Sequence, residues 1–167
     1  SSSTAVWNFD WSINANYDNS SGFVLNDLTY VLGIDFDPGV GTNFLTFDPI
    51  NVSQADHSIG TNATAQGAGI EAANAGQYAT LISTNNLAQN SQNMEFYDSL
   101  SFPFDANVDG LYTFFLSAFD GSTEVSRVEV QIIVGNGAAA VPEPAALALF
   151  GMGLIGMGVV RRRRLRS

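Results

Sequence analysis

The sequence has no cysteine and no lysine, and its single histidine is His57. Without thiols there can be no disulfide, no thiol nucleophile and no Cys-type zinc site, so an exported form must be stabilised by its core. The missing lysine removes Schiff-base chemistry and the phosphate-loop lysine. Basic side chains are nearly absent as well. Five of the six arginines (Arg161, Arg162, Arg163, Arg164 and Arg166) lie at the C-terminus, which leaves Arg127 alone before them. All 16 Asp and Glu residues precede that cluster, so one cation stands against 16 anions and the chain ahead of the cluster carries a formal charge of −15. Nucleic acid and anionic membrane surfaces need a basic footprint, so neither is an expected partner. The charge suits solubility, divalent cations or cationic partners.

The last 27 residues, Val141 to Ser167, organise the rest. They open with Val141-Pro142-Glu143-Pro144, continue as an uncharged apolar run from Ala145 to Val160, and end in the arginine cluster. The run of 16 residues makes about 24 Å of helix, short against roughly 30 Å of bilayer hydrocarbon. Snorkelling arginines and the Ala138–Ala140 run close part of the gap. A clustered basic tail stays cytoplasmic, which puts everything before Pro142 across the membrane. Pro142 and Pro144 keep the segment ahead of the span extended, a form a protease can grip.

Motif, span and basic tail, in that order, resemble the PEP-CTERM sorting signal of Gram-negative bacteria. The resemblance implies recognition by an exosortase, a membrane transpeptidase-like protease, followed by removal of the tail and delivery to the cell surface or extracellular matrix. It also implies an association with exopolysaccharide. Val141, Pro142, Glu143 and Pro144 are then the sorting motif, 145–160 the transmembrane segment, and Arg161 to Arg164 with Arg166 the stop-transfer tail. A domain exported in this way is expected to have had an N-terminal signal peptide ahead of Ser1.

Residues 1–134 read as one all-β extracytoplasmic domain, joined by a Gly/Ala linker at 135–140 to the signal at 141–167. From Val6 to Ala15, Trp7, Phe9, Trp11 and Ile13 alternate with Asn8, Asp10, Ser12 and Asn14, the period of a half-buried strand. Leu28, Tyr30, Leu32, Ile34 and Phe36 alternate likewise, and Asn43 to Phe47 follows the Asp37-Pro38-Gly39 turn as a further strand. Pro49 to Gln77 reads as a long surface excursion with a short helical turn near Ile70–Ala75. Tyr78–Ser83 and Met94–Asp98 are expected strands, separated by the polar stretch Thr84–Gln92. Leu111–Phe119, apolar on both faces, is expected to be a central strand. After a turn at Asp120-Gly121-Ser122-Thr123, a return strand is expected to put Val128, Val130, Ile132 and Val134 inward. The expected fold is an antiparallel β-sandwich, Ig-like or jelly-roll-like, followed by one C-terminal transmembrane helix.

Few constellations carry chemistry. His57 lacks a serine and an acid at defined positions and reads as a loop histidine outside catalysis. Asp105-Ala106-Asn107-Val108-Asp109-Gly110 matches the first half of a calcium loop, with Asp105, Asn107 and Asp109 as ligands. The twelfth position, however, is Leu116 rather than glutamate. The segment is then either an ordinary turn entering a strand or a different calcium site that borrows Asp35, Asp37 or Asp120. Glu71, Glu95, Glu124 and Glu129 show no spacing that selects a hydrolytic pair. Trp7, Trp11 and Tyr17 could offer sugars an aromatic platform, although aromatics alternating on a strand more often face a core. The expected function is a non-enzymatic surface or matrix protein. The alternative is a calcium-dependent glycan-binding or adhesion module, and a secreted hydrolase is a third reading.

Overall fold

The computed structural model describes residues 6–99 and 102–137. The expected span and sorting motif, 141–167, lie outside them. Among the described residues no helix is long and apolar enough to cross a membrane. The chain forms β1 (Asn8–Asn14), β2 (Thr29–Asp35), β3 (Phe44–Phe47), β4 (Ser58–Gly60), α1 (Ala75–Ile82), β5 (Leu87–Asn93), β6 (Asp98–Ser99), β7 (Phe102–Pro103), β8 (Gly110–Asp120) and β9 (Thr123–Val134). These make two principal antiparallel sheets, ordered β1-β5-β4 and β3-β2-β8-β9, plus the small pair β6-β7.

The two principal sheets share one core. The β1 alternation is as expected: Trp11 and Ile13 are buried, whereas Asn8, Asp10 and Ser12 are exposed. Phe9 meets Phe114 of β8 edge-on at a centroid distance of 5.0 Å, and Trp7 meets Phe104 at 5.8 Å, within the range of favourable aromatic pairs. β8 is the expected central strand, paired with β2 on one side and β9 on the other. Opposite Phe115 on β2 stands Gly33, where an added Cβ would lie 2.1 Å from the ring. Glycine therefore lets the ring cross the neighbouring strand, and Phe44 packs edge-on to it at 5.1 Å.

Asp35 alternates with the apolar Ile34 at the end of β2, yet it is fully buried. Its Oδ1 accepts from the backbone N–H groups of Asp37 (3.0 Å) and Asn43 (2.8 Å), and its Oδ2 from that of Thr113 (3.1 Å). A buried carboxylate needs such donors, and here they tie the 36–43 loop and β8 to the end of β2.

Four expectations are corrected. Tyr78–Ser83 is not a strand. It falls in and just past α1, where Tyr78, Leu81 and Ile82 are buried at helical spacing and Asn74 caps the N-terminus by accepting from the Gln77 N–H at 3.0 Å. The helix thus begins where the Ile70–Ala75 helical turn was expected to end. Thr84–Gln92 is no mere connector, because it contains most of β5, the middle strand of its sheet. Met94–Asp98, expected as a strand, is a 3-10 turn over Met94–Tyr97, and only Asp98 belongs to a strand, β6. The Pro49–Gln77 excursion is not confined to the surface. It buries Ile50, His57, Ile59 and Ala72 and supplies β4.

The return strand β9 forms and pairs with β8, but two of the four side chains expected inward are not buried, Val128 and Val130 being 62% and 45% exposed. Among the described residues β9 pairs only with β8, so it is an edge strand, and Val128 and Val130 line an open cleft between it and β1.

Candidate functional site

His57 is buried and held at both ring nitrogens. Its Nε2 lies 2.7 Å from the Pro49 carbonyl oxygen and its Nδ1 lies 2.7 Å from Asn90 Nδ2. A carbonyl can only accept and an amide nitrogen can only donate, so the proton is on Nε2 and the ring is neutral. Burial holds its pKa below the ordinary value of 6.5, against weaker opposing effects from the Pro49 carbonyl and Asp56. The Trp11 ring stands edge-on at 4.9 Å. Asn90 Nδ2 also donates to Asp56 Oδ1 at 3.1 Å. His57 borders a cleft of about 310 Å³ lined by Asp48, Asp56 and Asn90 among others. Both ring nitrogens are already engaged, which leaves neither free to take a proton from a nucleophile. The histidine pins β5 to the chain after β3.

The Asp105–Gly110 segment behaves as a turn. Asp105 Oδ1 accepts from the Asn107 backbone N–H at 2.9 Å and from its Nδ2 at 3.0 Å, contacts that hold the carboxyl below its usual pKa. Asp109 turns the other way, its Oδ2 accepting from the Asn136 N–H at 2.9 Å. Asp109 thereby fastens the end of β9 to the start of β8. Among the described residues no group of three or more His, Asp or Glu side chains is placed to hold a metal ion. Glu124 and Glu129 both sit on β9, where Glu129 pairs with Arg127 at 3.0 Å. Trp7 and Trp11 pack into the core, and Tyr17 stands alone at 84% exposure, so no aromatic platform forms from the three.

The outer face of the β1-β5-β4 sheet was not foreseen. The register sets Asp10 beside Ser91, and Ser12 beside Gln89, which in turn stands beside Ser58. The 66–67 loop overhangs this row, with Gly67 N–H donating to Gln89 Oε1 at 3.0 Å, and together they border a depression of about 500 Å³. It is lined by hydroxyls and carboxamides with two carboxylates, Asp10 and Asp56. Only the assignment of 87–93 as a strand would have revealed it in the sequence.

Residues 140–164 match the PEP-CTERM protein-sorting motif. The chain carries a PEP-CTERM sorting signal. The match takes in Val141, Pro142, Glu143 and Pro144, the apolar run and Arg161 to Arg164, and Arg166 lies just beyond it. No curated protein and no solved structure matches this chain significantly. A PEP-CTERM signal implies a membrane-anchored stage, exosortase processing and export, so the protein is sorted through its C-terminus.

Proposed function

We propose that the domain ahead of the PEP-CTERM signal is a non-enzymatic component of the cell surface or extracellular matrix, released from its membrane stage by an exosortase and in contact with exopolysaccharide. The observation that carries this reading is the sorting-motif match at 140–164. Its support within the domain is chemical. His57 has both nitrogens engaged, and the outer face formed by Asp10, Ser12, Ser58, Gln89 and Ser91 offers the hydroxyl and amide groups that sugar hydroxyls exchange hydrogen bonds with. The calcium-dependent form of glycan binding has less support, because Asp105 and Asp109 spend their carboxylates on nearby N–H groups.

Intact mass spectrometry of the mature protein, from strains with and without the exosortase, tests the processing. The expected result is loss of the arginine tail only where the exosortase is present. Retention of residues 161–167 in both strains would refute it. Glycan contact is tested separately by co-sedimentation with the organism's own exopolysaccharide, using a Ser12→Trp, Ser91→Trp double variant to obstruct the polar face. Equal recovery of the two proteins would reject that face.

A further inference from the structure

The β9 strand is long, half aliphatic and exposed over most of its length. Val128, Val130 and Ile133 are each 45% exposed or more, and among the described residues nothing pairs with the outer edge of the strand. Beneath it, between β9 and β1, runs a trough of two adjoining clefts of about 340 and 420 Å³, which share Ser12, Leu116 and Val128 on their walls. An exposed strand edge with apolar side chains is a template for another strand. The usual protections are sparse, since β9 contains neither proline nor lysine. Its single irregularity is an extra residue at Val125, between the pairs Ala118–Ser126 and Phe119–Glu124.

We propose that β9 pairs antiparallel with β9 of a second copy of this chain, forming a two-fold dimer through one continuous sheet. Charge makes the strand complementary to itself in one register. In an antiparallel ladder, directly opposed residues turn their backbone N–H and C=O groups either both toward each other or both away. That orientation alternates along Ser126–Val134, so a strand pairing with its own copy must oppose residues whose numbers have the same parity. Three central registers are then open. One sets Arg127 against Arg127, a second sets Glu129 against Glu129, and the one between them sets Arg127 against Glu129 twice over. The middle register alone converts the strand's charges from repulsive to attractive, and like charges directly opposed are destabilising.

In this register Val128 faces Val128, and Ser126–Val130 forms the regular ladder before the extra residue at Val125 is reached. Arg127 is already held in place by stacking 3.8 Å above the Phe115 ring and by its bond to Glu129. A single edge-to-edge strand contact lies at the small end of interface sizes, so the dimer is weak and depends on local concentration. Copies tethered to one membrane by the sorting signal supply that concentration. The proposal stands whether or not the domain meets polysaccharide.

Because the chain has no cysteine, the register can be read by cross-linking. In the full chain in detergent, Val128→Cys is expected to form an intermolecular disulfide under mild oxidation, since opposed Cα atoms are about 4.5–5.5 Å apart. Val130→Cys is not, because its copies are displaced by about 13 Å along the strand. Sedimentation equilibrium in density-matched detergent, from about 1 to 500 µM, gives the affinity. Arg127→Glu or Val128→Lys should each weaken dimerisation about tenfold or more, and the exchange Arg127→Glu with Glu129→Arg should bring it back to within about threefold. Val128 is already exposed, so its lysine variant tests association without disturbing the core. A monomer throughout the range overturns the proposal. So does a dimer indifferent to both single changes, which would point to association through the apolar tail. A disulfide that forms in the Val130→Cys variant and fails to form in the Val128→Cys variant overturns it as well.

Discussion

β5 and β8 hold the same position in their respective sheets, each paired on both sides, yet they share almost no chemistry. β8 reads Gly-Leu-Tyr-Thr-Phe-Phe-Leu-Ser-Ala-Phe-Asp and packs Tyr112 and Phe114 into the core. β5 reads Leu-Ala-Gln-Asn-Ser-Gln-Asn. On its inner side only Ala88 is an apolar core residue. Asn90 instead donates to His57 and Asp56, and Gln92 accepts from the Tyr97 hydroxyl. A middle strand therefore needs only its two backbone ladders. The inward side chains can be apolar and packed, or amide and hydrogen-bonded, provided that no buried polar group is left unpaired. The first solution derives its stability from burial and the second from a network, so the two sheets should fail under different insults.

The sharpest test is Phe114→Ala, at the meeting of Trp7, Phe9 and Phe114 in the shared core. It should cost about 3–5 kcal/mol, read as a fall in the denaturant midpoint, and a loss below about 1 kcal/mol would break the distinction between the sheets. Asp35→Ala removes the acceptor of three backbone N–H groups at the end of β2 and should cost roughly 3 kcal/mol. Hydrogen exchange should quicken first at Thr113, whose N–H is otherwise enclosed.

The amide network of the β5 side should show itself through pH. Burial keeps His57 below its ordinary pKa of 6.5, so below that pH the unfolded chain binds more protons than the folded one. The contribution is fully present above 6.5 and is lost as pH falls toward the folded value. The melting temperature should therefore drop on acidification from about pH 7.5 to 5. The gap between the parent and His57→Gln should narrow over the same interval. A gap constant across it would show that His57 does not titrate differently in the two states.

The smallest effect belongs to the outer face of β5. Ser91→Ala should change stability by about 0.5 kcal/mol or less, while reducing exopolysaccharide recovery if that face touches the polymer.

Much of the second sheet was legible because its strands are largely alternating or apolar on both faces, with Asp37-Pro38-Gly39 and Asp120-Gly121 marking the turns. α1 was misread because Tyr78-Ala79-Thr80-Leu81-Ile82 also fits a short strand. The deciding features were Asn74 as cap and the burial of Tyr78, Leu81 and Ile82 together. β5 gave no periodic signal, since its faces differ in hydrogen-bonding partners rather than in polarity. His57 does lie in a loop ahead of β4, but its burial was not legible because its partners, Pro49 and Asn90, lie 8 and 33 positions away.

The sequence by itself determined the address and the class. A motif, an apolar run and a basic cluster act through local order and composition, so 141–167 could be read without a fold, and alternation along β1 and β2 with the apolar run of β8 was enough to declare a β protein. Only tertiary structure decided that an amide-rich segment is a middle strand, that Asp35 is buried and that the half-aliphatic β9 is an exposed edge. Each of these depends on which distant residues supply a hydrogen bond or a covering surface, and neighbours in the chain do not carry that information.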